Sequence, residues 1–435
     1  MKKPVIPRLL LQLILYFAIF VIIVLVQFSG NTGPVQTSVP EDNVFNPRDF
    51  AIPQVQNSRD FIAAISRWQD GNFIAWNRLI SQQNNEDLVI AFTEESLNRS
   101  SYNAALTAIP ASFRNGNNRT YDSSVFLGQL TQTYRTLITR DQETTNRLNK
   151  LLQEKSPAFL SEPDVFEFLA SRGLTNQFNE GIKLVGSMSP EALTLETVSA
   201  VFQWDTEWQY LNSAAENPFS HLIEKSMDII SGSLRMNAEK NKVFVVKENS
   251  IDTILNIRLG KSLLGWAETR KNDSWIILAR SIIISVLTLE NYTGSVRAEY
   301  NISPEGEITE KTSSAAISTA RYYRILNLGE YNPRALALSS EGNFVWAWTA
   351  AGNVTASLEN KTLDIGVTFP VNETHYIILR GIKPFTKIQL YNVDYRSDPQ
   401  FERYDSSGWT YMAADQTLLV KMKHKAADEH IKIFY

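Results

Sequence analysis

An apolar segment at residues 9–28 is the feature that most constrains how this chain can fold. At a rise of 1.5 Å per residue, a helix of about 20 residues spans the ~30 Å hydrocarbon core of a bilayer. Basic residues precede the segment at Lys2, Lys3 and Arg8. Because basic flanks stay in the cytoplasm, we expect a single-pass anchor in the cytoplasmic membrane, with residues 1–8 inside and the rest of the chain extracytoplasmic, in the periplasm.

A cleaved signal peptide is the main alternative to this signal anchor. Cleavage requires a shorter apolar core and small residues at the −3 and −1 positions. A cut after Ser29 or Gly30 would instead put Gln27 or Phe28 at position −3. The exit from the segment therefore favours an uncleaved anchor, and a buried soluble helix is the third alternative.

The rest of the chain divides into a linker and two folded parts. Residues 29–55 contain several prolines among polar residues and predict an extended spacer. Residues 56–290 carry helical periodicity in short pieces, which predicts a helical domain of hairpins, arranged as an (α/α) toroid or a solenoid. The apolar stretch at 274–289 contains Arg280 and is too short to span a membrane, so we expect it to be a helix buried on all sides.

After residue 290 the pattern changes to alternating β-branched and aromatic residues between turn signals. This pattern predicts a C-terminal antiparallel β-sandwich domain over residues 291–435, and the whole chain is then an α+β multidomain protein. At Leu418–Lys423 the apolar side chains alternate with Lys421 and Lys423. The alternation predicts a sheet with one face in water at this strand.

Composition excludes several classes of function. The chain has 435 residues, no cysteine and four histidines, and its formal net charge is −4. The charge disfavours nucleic-acid binding, and the residue counts disfavour a thiolate or histidine metal centre. No nucleotide-binding, serine-hydrolase or metalloprotease motif is present. We therefore expect no metal and no cofactor.

Candidate site residues in the helical part are carboxylates, tryptophans and two basic side chains. One short helical stretch contains Trp204, Asp205, Glu207 and Trp208. Indoles beside carboxylates are the residue types of a sugar-binding or sugar-cleaving site. The alternative is that both tryptophans belong to the core stripe of the helix. Arg258 lies on an apolar stripe, so it either pairs with a buried carboxylate or holds an anionic substrate. His221 falls away from the apolar face of its helix and is either a surface residue or a catalytic one.

The β part contributes a second aromatic pair. Trp346 and Trp348 alternate on one strand with Phe344 and therefore point to the same side of the sheet. An exposed row of this kind would be a platform for stacking sugars, and a buried one would be part of the sandwich core.

The order of anchor, helical hairpins and β-sandwich resembles bacterial polysaccharide lyases and related (α/α)-toroid glycan enzymes. The chain end, Tyr404–Tyr411 followed by Leu418–Met422, is similar to the accessory β-domains of bacterial carbohydrate-active and envelope proteins. The resemblance implies a glycan-related function, although no catalytic motif of those lyases is matched.

Two functions follow as hypotheses. The first is a non-catalytic, membrane-anchored envelope protein that binds a glycan or another envelope protein. The second is a polysaccharide-acting enzyme, of the lyase or glycosidase type, with its cleft in the helical domain and Asp205, Glu207, His221 or Arg258 in that cleft. They differ in that the enzyme needs carboxylates with shifted pKa values in an open cleft.

Overall fold

The computed structural model describes residues 45–435, except for 117–118, 163, 212–216, 292–293 and 341–342. Asn46–Tyr435 forms one compact unit. The predicted anchor at 9–28, the N-terminus at 1–8 and most of the linker lie outside the described residues. In the part of the chain that is described, no helix is both long and apolar enough to cross a membrane.

The chain is mainly helical up to residue 287, as the sequence predicts. The helices are α1 (Ser58–Leu79), α2 (Glu86–Asn98), α3 (Tyr102–Ala108), α4 (Ala111–Arg114), α5 (Tyr121–Leu127), α6 (Leu130–Gln153), α7 (Val165–Ser171), α8 (Thr175–Gly186), α9 (Leu195–Leu211), α10 (Ser220–Ser233), α11 (Thr253–Thr269) and α12 (Asp273–Leu287), and a later α13 (Ala320–Leu326) lies among the strands. The apolar helix α12 is buried along almost its whole length, which confirms the expectation of a central helix.

Short strands lie around α11 and α12, and long strands follow α13. The strands are β1 (Leu234–Met236), β2 (Val243–Val245), β3 (Ser250–Asp252), β4 (Ser295–Arg297), β5 (Glu299–Ile302), β6 (Ile308–Glu310), β7 (Ala316–Ser318), β8 (Arg334–Ser340), β9 (Asn343–Thr349), β10 (Asn353–Glu359), β11 (Thr362–Thr368), β12 (Thr374–Arg380), β13 (Lys387–Leu390), β14 (Val393–Tyr395), β15 (Gly408–Met412), β16 (Thr417–Lys423) and β17 (Asp428–Phe434).

Two five-stranded antiparallel sheets form the C-terminal part. Their strand orders are β10-β11-β17-β13-β14 and β15-β16-β12-β9-β8. One apolar core lies between them, to which Ile365, Ile431, Val345 and Val420 belong. The α+β class and the antiparallel sandwich are therefore confirmed.

Helices, and not water, cover the outer face of the second sheet. Trp346 and Trp348 pack there against Phe126 of α5 and Tyr134 of α6. Val345, on the opposite side of β9, points into the sandwich core. The tryptophan row is thus neither an open platform nor part of the sandwich core, because it belongs to an apolar layer between the helices and the sheet. We call this the helix–sheet layer.

The prediction of a water-facing side at β16 is correct at Lys423, which is exposed, and wrong at Lys421, which the same helices and loops cover. Lys421 is only 6% exposed, and its ammonium donates a hydrogen bond to the carbonyl of Tyr404. Leu419, on the same side of the strand, packs in the helix–sheet layer. A buried ammonium requires such a hydrogen-bond acceptor, and the alternation pattern does not reveal it.

The helical stretch from residue 121 to residue 153 is interrupted between α5 and α6. α5 ends at Gly128, whose φ is +81°, and α6 begins two residues later. A Cβ at Gly128 would lie 2.9 Å from the ring of Tyr376, so both the positive φ and the limited space favour glycine at this position. Residues of both helices belong to the helix–sheet layer.

The described end of the predicted linker is packed. Residues Pro47–Phe50 and Pro53–Val55 form 3-10 turns, each with a proline at its start, a position that suits the fixed φ of proline. Ile52 and Val55 are buried, and the amide of Ile52 donates to Ser281 Oγ of α12 at 3.1 Å. These turns attach the start of the compact unit to its central helix.

A buried carboxyl group lies inside α2. Glu94 is fully buried, and neither of its carboxylate oxygens has a hydrogen-bond partner among the described residues. Burial raises the pKa of Glu94 to about 8, although the guanidinium groups of Arg324 and Arg334 act in the opposite direction. Glu94 is therefore neutral near pH 7 in the folded protein.

We expect Glu94→Gln to change how stability depends on pH. The unfolded carboxyl group ionises near its ordinary pKa, so the native protein binds one more proton from about pH 5 to pH 8 and loses stability as the pH rises through that window. The slope from this group approaches about 1.4 kcal/mol per pH unit. Urea unfolding at pH 5, 7 and 9 should give a flatter curve for Glu94→Gln than for the exposed control Glu359→Gln, and equal slopes would contradict the assignment.

Candidate functional site

A groove of about 300 Å³ opens at the edge of the helix–sheet layer. We call it the Trp346 groove. Its lining residues come from α6, from the turn after α7 and from two strands of the second sheet: Ile138, Asp141, Gln142, Thr145, Asn146, Arg172, Leu174, Trp346 and Arg380. The volume lies at the lower end of the ~300–1,000 Å³ range of small-molecule sites.

One face of α6 supplies the polar wall of the groove. Residues 138, 141, 142, 145 and 146 recur at intervals of three and four, so they share a single face of the helix. Gln142 and Asn146 are exposed, and within the described residues no hydrogen bond occupies their side-chain amides. Two amide groups on this wall are therefore available to a ligand.

Arg172 forms the corner between this wall and the sheet. Its guanidinium binds Asp141 through two contacts, Nε to Oδ2 at 2.8 Å and Nη2 to Oδ1 at 3.2 Å. The same group lies 5.0 Å from the ring centroid of Trp346 and 4.3 Å from that of Phe168. The ion pair neutralises Arg172, and the stacking fixes the plane of its guanidinium.

Trp346 and Arg380 form the floor of the groove on the sheet. They are direct cross-strand partners of β9 and β12, so their side chains emerge side by side on one face, with Cβ atoms about 5 Å apart. Trp346 is 8% exposed, and this small exposed part lines the groove. Trp348, two residues along, donates its indole N–H to the carbonyl of Tyr121 at 3.2 Å and belongs to the core.

The structure buries Asp205 and gives it three donors. It accepts hydrogen bonds from Asn217 Nδ2 at 2.6 Å, Trp266 Nε1 at 2.9 Å and Arg270 Nη2 at 2.8 Å. Its side chain is 1% exposed. Asp205 therefore ties α9 to α11 and to the residues before α10, and a substrate has no access to it.

The other helical candidates are spread over separate places. Trp204 is fully buried in the core around α9, and Trp208 packs at the edge of the same core. His221 is exposed, with Nε2 3.0 Å from the carbonyl oxygen of Met188. Arg258 is half-buried on α11. Of the eight candidates from the sequence, only Trp346 lines the groove.

Glu207 has an acidic neighbour that sequence reasoning missed. Burial raises the pKa of Glu207, and the carboxylate of Glu167 adds to the rise. Burial also raises the pKa of Glu167, with Asp164 contributing and Lys261 opposing. Glu167 is exposed to solvent and Glu207 is half-buried, and neither lines the Trp346 groove. Two carboxyl groups of this kind favour retention of a proton.

Sequence reasoning missed the groove residues other than Trp346. Asp141, Gln142 and Asn146 follow one another at helical spacing, which is also the spacing of an ordinary water-facing helix surface. Arg172 and Arg380 meet this surface only through tertiary structure. Only the clustering of two amides and a carboxylate on one face of α6 could have marked it.

A larger concavity of about 530 Å³ lies between the first turns and α12. Its lining includes Arg48, Asn57, Asp273, Ile276 and Arg280 but no aromatic side chain. Glu268 already lies 3.4 Å from Arg280. The Trp346 groove is the better candidate because it combines an aromatic ring with amides and charged groups.

No protein-family model matches this chain, and no curated protein is significantly similar to it. Within the described residues, no three histidine or acidic side chains are grouped so that they could hold a metal ion.

We expect Asp205→Asn to reduce stability because Asp205 is a structural group. An amide nitrogen would face at least one of the three donors, and Arg270 would lose its partner. Since Arg270 can still reach water, the expected loss is about 2–4 kcal/mol in the free energy of unfolding. Urea unfolding measures it, with the exposed Asp228→Asn as the control. Full stability of Asp205→Asn would show that the buried network is not needed.

Proposed function

We propose that this chain is a membrane-anchored, extracytoplasmic protein of the cell envelope that binds glycan without cleaving it. The observation that carries the proposal is the composition of the Trp346 groove. An indole, two unoccupied amides and an ordered Arg172–Asp141 pair converge on a concave space. We also propose that the helical hairpins are arranged as a toroid or a solenoid.

The chemistry of the groove suits a sugar. The small exposed part of Trp346 offers an apolar contact to the C–H groups of a pyranose ring, beside the Arg172 guanidinium that lies over the indole. Amide and guanidinium groups donate to hydroxyl oxygens, and amide and carboxylate oxygens accept from hydroxyl groups. Gln142 and Asn146 stand on α6 opposite the sheet that carries Trp346. A sugar ring between them would meet both kinds of surface.

The size of the groove favours glycan over another envelope protein. A stable protein interface buries about 800 Å² on each partner and is centred on a large patch. The groove is instead a small concavity with polar walls. A single sugar or one end of a polysaccharide fits such a shape better than a protein surface does.

The anchor at residues 9–28 supports an envelope location. Its length suits one bilayer crossing, and the basic residues before it favour a cytoplasmic N-terminus. The folded part would then lie in the periplasm, where envelope glycans are available to the groove.

The absence of cysteine provides a direct test of this topology. Single cysteines can be introduced as Gln82→Cys, at an exposed turn of the folded part, and Lys3→Cys, before the apolar segment. With the cytoplasmic membrane intact, we expect a membrane-impermeant maleimide to label Gln82→Cys and to leave Lys3→Cys unlabelled until lysis. Labelling of Gln82→Cys only after lysis would contradict an extracytoplasmic location.

Binding to the groove is tested with the double variant Gln142→Ala/Asn146→Ala. Each lost hydrogen bond is worth about 0.5–1.5 kcal/mol, so we expect Kd for the bound glycan to rise about tenfold. The probe is the tightest binder of the wild-type chain on an array of bacterial envelope glycans, titrated by calorimetry. The control is Gln132→Ala, an exposed glutamine earlier on α6. An array on which nothing binds, or equal losses in both variants, would overturn the proposal.

A polysaccharide-acting enzyme is the second candidate, and the raised pKa values of Glu167 and Glu207 favour it. Acid–base cleavage of a glycosidic bond uses a pair of carboxyl groups, and the one that acts as the acid has a raised pKa. The mixtures of protein and glycan from the binding experiment can be analysed for cleavage, which distinguishes the two functions. New chain ends that form with wild type and not with Glu207→Gln would indicate the enzyme.

A further inference from the structure

β10 is an exposed edge strand of the sandwich. It is the outermost strand of its sheet, so among the described strands only β11 is hydrogen-bonded to it. Five of its seven residues are exposed, and the other two, Val354 and Ala356, are half-buried. β10 contacts β8 of the second sheet but forms no ladder with it. One side of β10 therefore lacks a neighbouring strand.

The three other sheet edges of the sandwich are short or covered. β14 has only three residues. β15 lies against the 3-10 turn Phe401–Arg403, and a Cβ at Gly408 of β15 would lie 2.8 Å from Cβ of Phe401. β8 is mostly buried or half-buried and contacts α7 as well as β10.

β10 has little that would prevent it from pairing with another strand. An open edge strand pairs readily with a further chain unless lysines, prolines, bulges or a covering segment block it. β10 contains no lysine, arginine or proline, and its one charged residue, Glu359, lies at its end. It is therefore the edge of this sandwich best suited to receive a strand.

The turn after β10 determines which of its backbone groups are free. β10 and β11 are joined by a two-residue turn in which both residues have positive φ, as in a type I′ hairpin. The hydrogen bond of this turn uses Glu359. Because bonded positions alternate along an antiparallel pair, the N–H and C=O groups of Val354, Ala356 and Leu358 point away from β11. Among the described residues, no backbone hydrogen bond outside the regular elements uses these groups.

The free groups of β10 are complementary to those of a second copy. When two copies of β10 pair antiparallel about a two-fold axis at Ala356, all seven residues are paired. Ala356 then meets Ala356 of the partner subunit, and Val354 meets Leu358 of the partner subunit. Each bonded pair contributes two bonds, so the contact has about six backbone hydrogen bonds between the chains. Registers displaced from this one leave residues at the ends of β10 unpaired.

The side chains favour the same register. Val354, Ala356 and Leu358 share one face of β10, and the first two pack against the sandwich core. Leu358 remains 40% exposed, and Val354 of the partner subunit would cover it. Glu359 would lie opposite Asn353 of the partner subunit, so no like charges face each other.

We propose that this chain forms a symmetric dimer in which β10 pairs antiparallel with β10 of a second copy, centred on Ala356. The two sheets that contain β10 then form one continuous sheet. A contact between identical surfaces closes on itself, and the remaining edges are short or covered, so we expect dimers and not fibres. One strand from each copy makes a small interface, which belongs to the weak and reversible class. The inference does not depend on glycan binding.

The absence of cysteine allows the register to be tested by disulfide formation. Thr355 and Ser357 are exposed, and the proposed pairing puts Thr355 opposite Ser357 of the partner subunit at a Cα separation of about 4.5 Å, which a disulfide can span. Full-length Thr355→Cys and Ser357→Cys with different tags are co-expressed, purified in detergent and oxidised. A specific contact raises the effective concentration of the two thiols. On non-reducing gels we expect about tenfold more heterodimer than for Thr355→Cys with the exposed control Gln82→Cys.

Two blocking variants are introduced into the cysteine pair. Ala356→Pro removes an N–H group that β11 does not use, and proline is tolerated at such positions of edge strands. Leu358→Lys puts a charge on the edge at an exposed residue. We expect each to reduce linking to the level of the Gln82→Cys control. Val393→Lys, at a 59% exposed residue of the edge strand β14, is the matched control and should leave linking unchanged.

Thermal melting curves report whether the blocking variants are folded. If Ala356→Pro is unfolded, Leu358→Lys alone carries the test, because its side chain is already exposed. Sedimentation velocity of the cysteine-free chain, with and without Leu358→Lys, provides a second measurement. We expect a dimer that dissociates on dilution for the wild type and a monomer for the variant.

Several results would overturn the inference. Equal linking to Thr355→Cys and to Gln82→Cys, or linking that neither blocking variant reduces, overturns the dimer. Stronger linking of Ser357→Cys with itself than with Thr355→Cys overturns the register centred on Ala356. A different protein linked to Thr355→Cys, without any heterodimer, overturns the second copy as the occupant. None of these results affects the proposed glycan binding, because β10 does not line the Trp346 groove.

Discussion

The apolar layer between the helices and the second sheet is the constraint on which the rest of the structure depends. A sandwich needs only its inner faces to be covered, yet β9 presents Trp346 and Trp348 on its outer face. Burial of an aromatic side chain stabilises a fold by about 1.5–3 kcal/mol, so exposure of this face to water would be unfavourable. α5 and α6 cover it, and Gly128 between them lies against Tyr376 of the same sheet. The sheet is therefore enclosed by two cores.

The groove exists because this layer ends before the sheet does. At the edge, the α6 face changes from the apolar Leu137 and Ile138 to the polar Asp141 and Gln142. The Arg172–Asp141 pair closes the apolar layer against water, while its stacking on Trp346 keeps the indole in place. The residues that seal the core are thus also those that would meet a ligand, which gives a rigid site at little entropic cost.

Sequence patterns predicted the elements better than their partners. The helices from Thr253 to Leu287 and most strands after Arg334 follow from periodicity, because local burial determines it. The layer against β9 does not, since an outward aromatic row looks the same whether helices or water cover it. Lys421 illustrates the limit, because its role as a water-facing residue was inferred from alternation alone.

The candidate site was less predictable than the fold for a physical reason. Trp346 could be identified as a candidate from its residue type alone. Asp141, Arg172 and Arg380 become candidates only because tertiary structure brings them together. Asp205 was a candidate because it lies between two tryptophans in the sequence, and the structure instead gives its carboxylate three hydrogen-bond donors. Whether such a carboxylate is a catalytic or a structural group depends on its access to solvent, and no local sequence pattern encodes that access.

The cross-strand pairing of Trp346 with Arg380 has a consequence for how such a site can diversify. Strand side chains alternate with a period of two, so adding or deleting one residue within β9 or β12 would send one partner into the sandwich interior. Substitutions can therefore change the residue types at this site, while insertions and deletions are confined to the connecting loops. Descendants of this chain should vary in loop length and in residue type, but keep the spacing within these two strands.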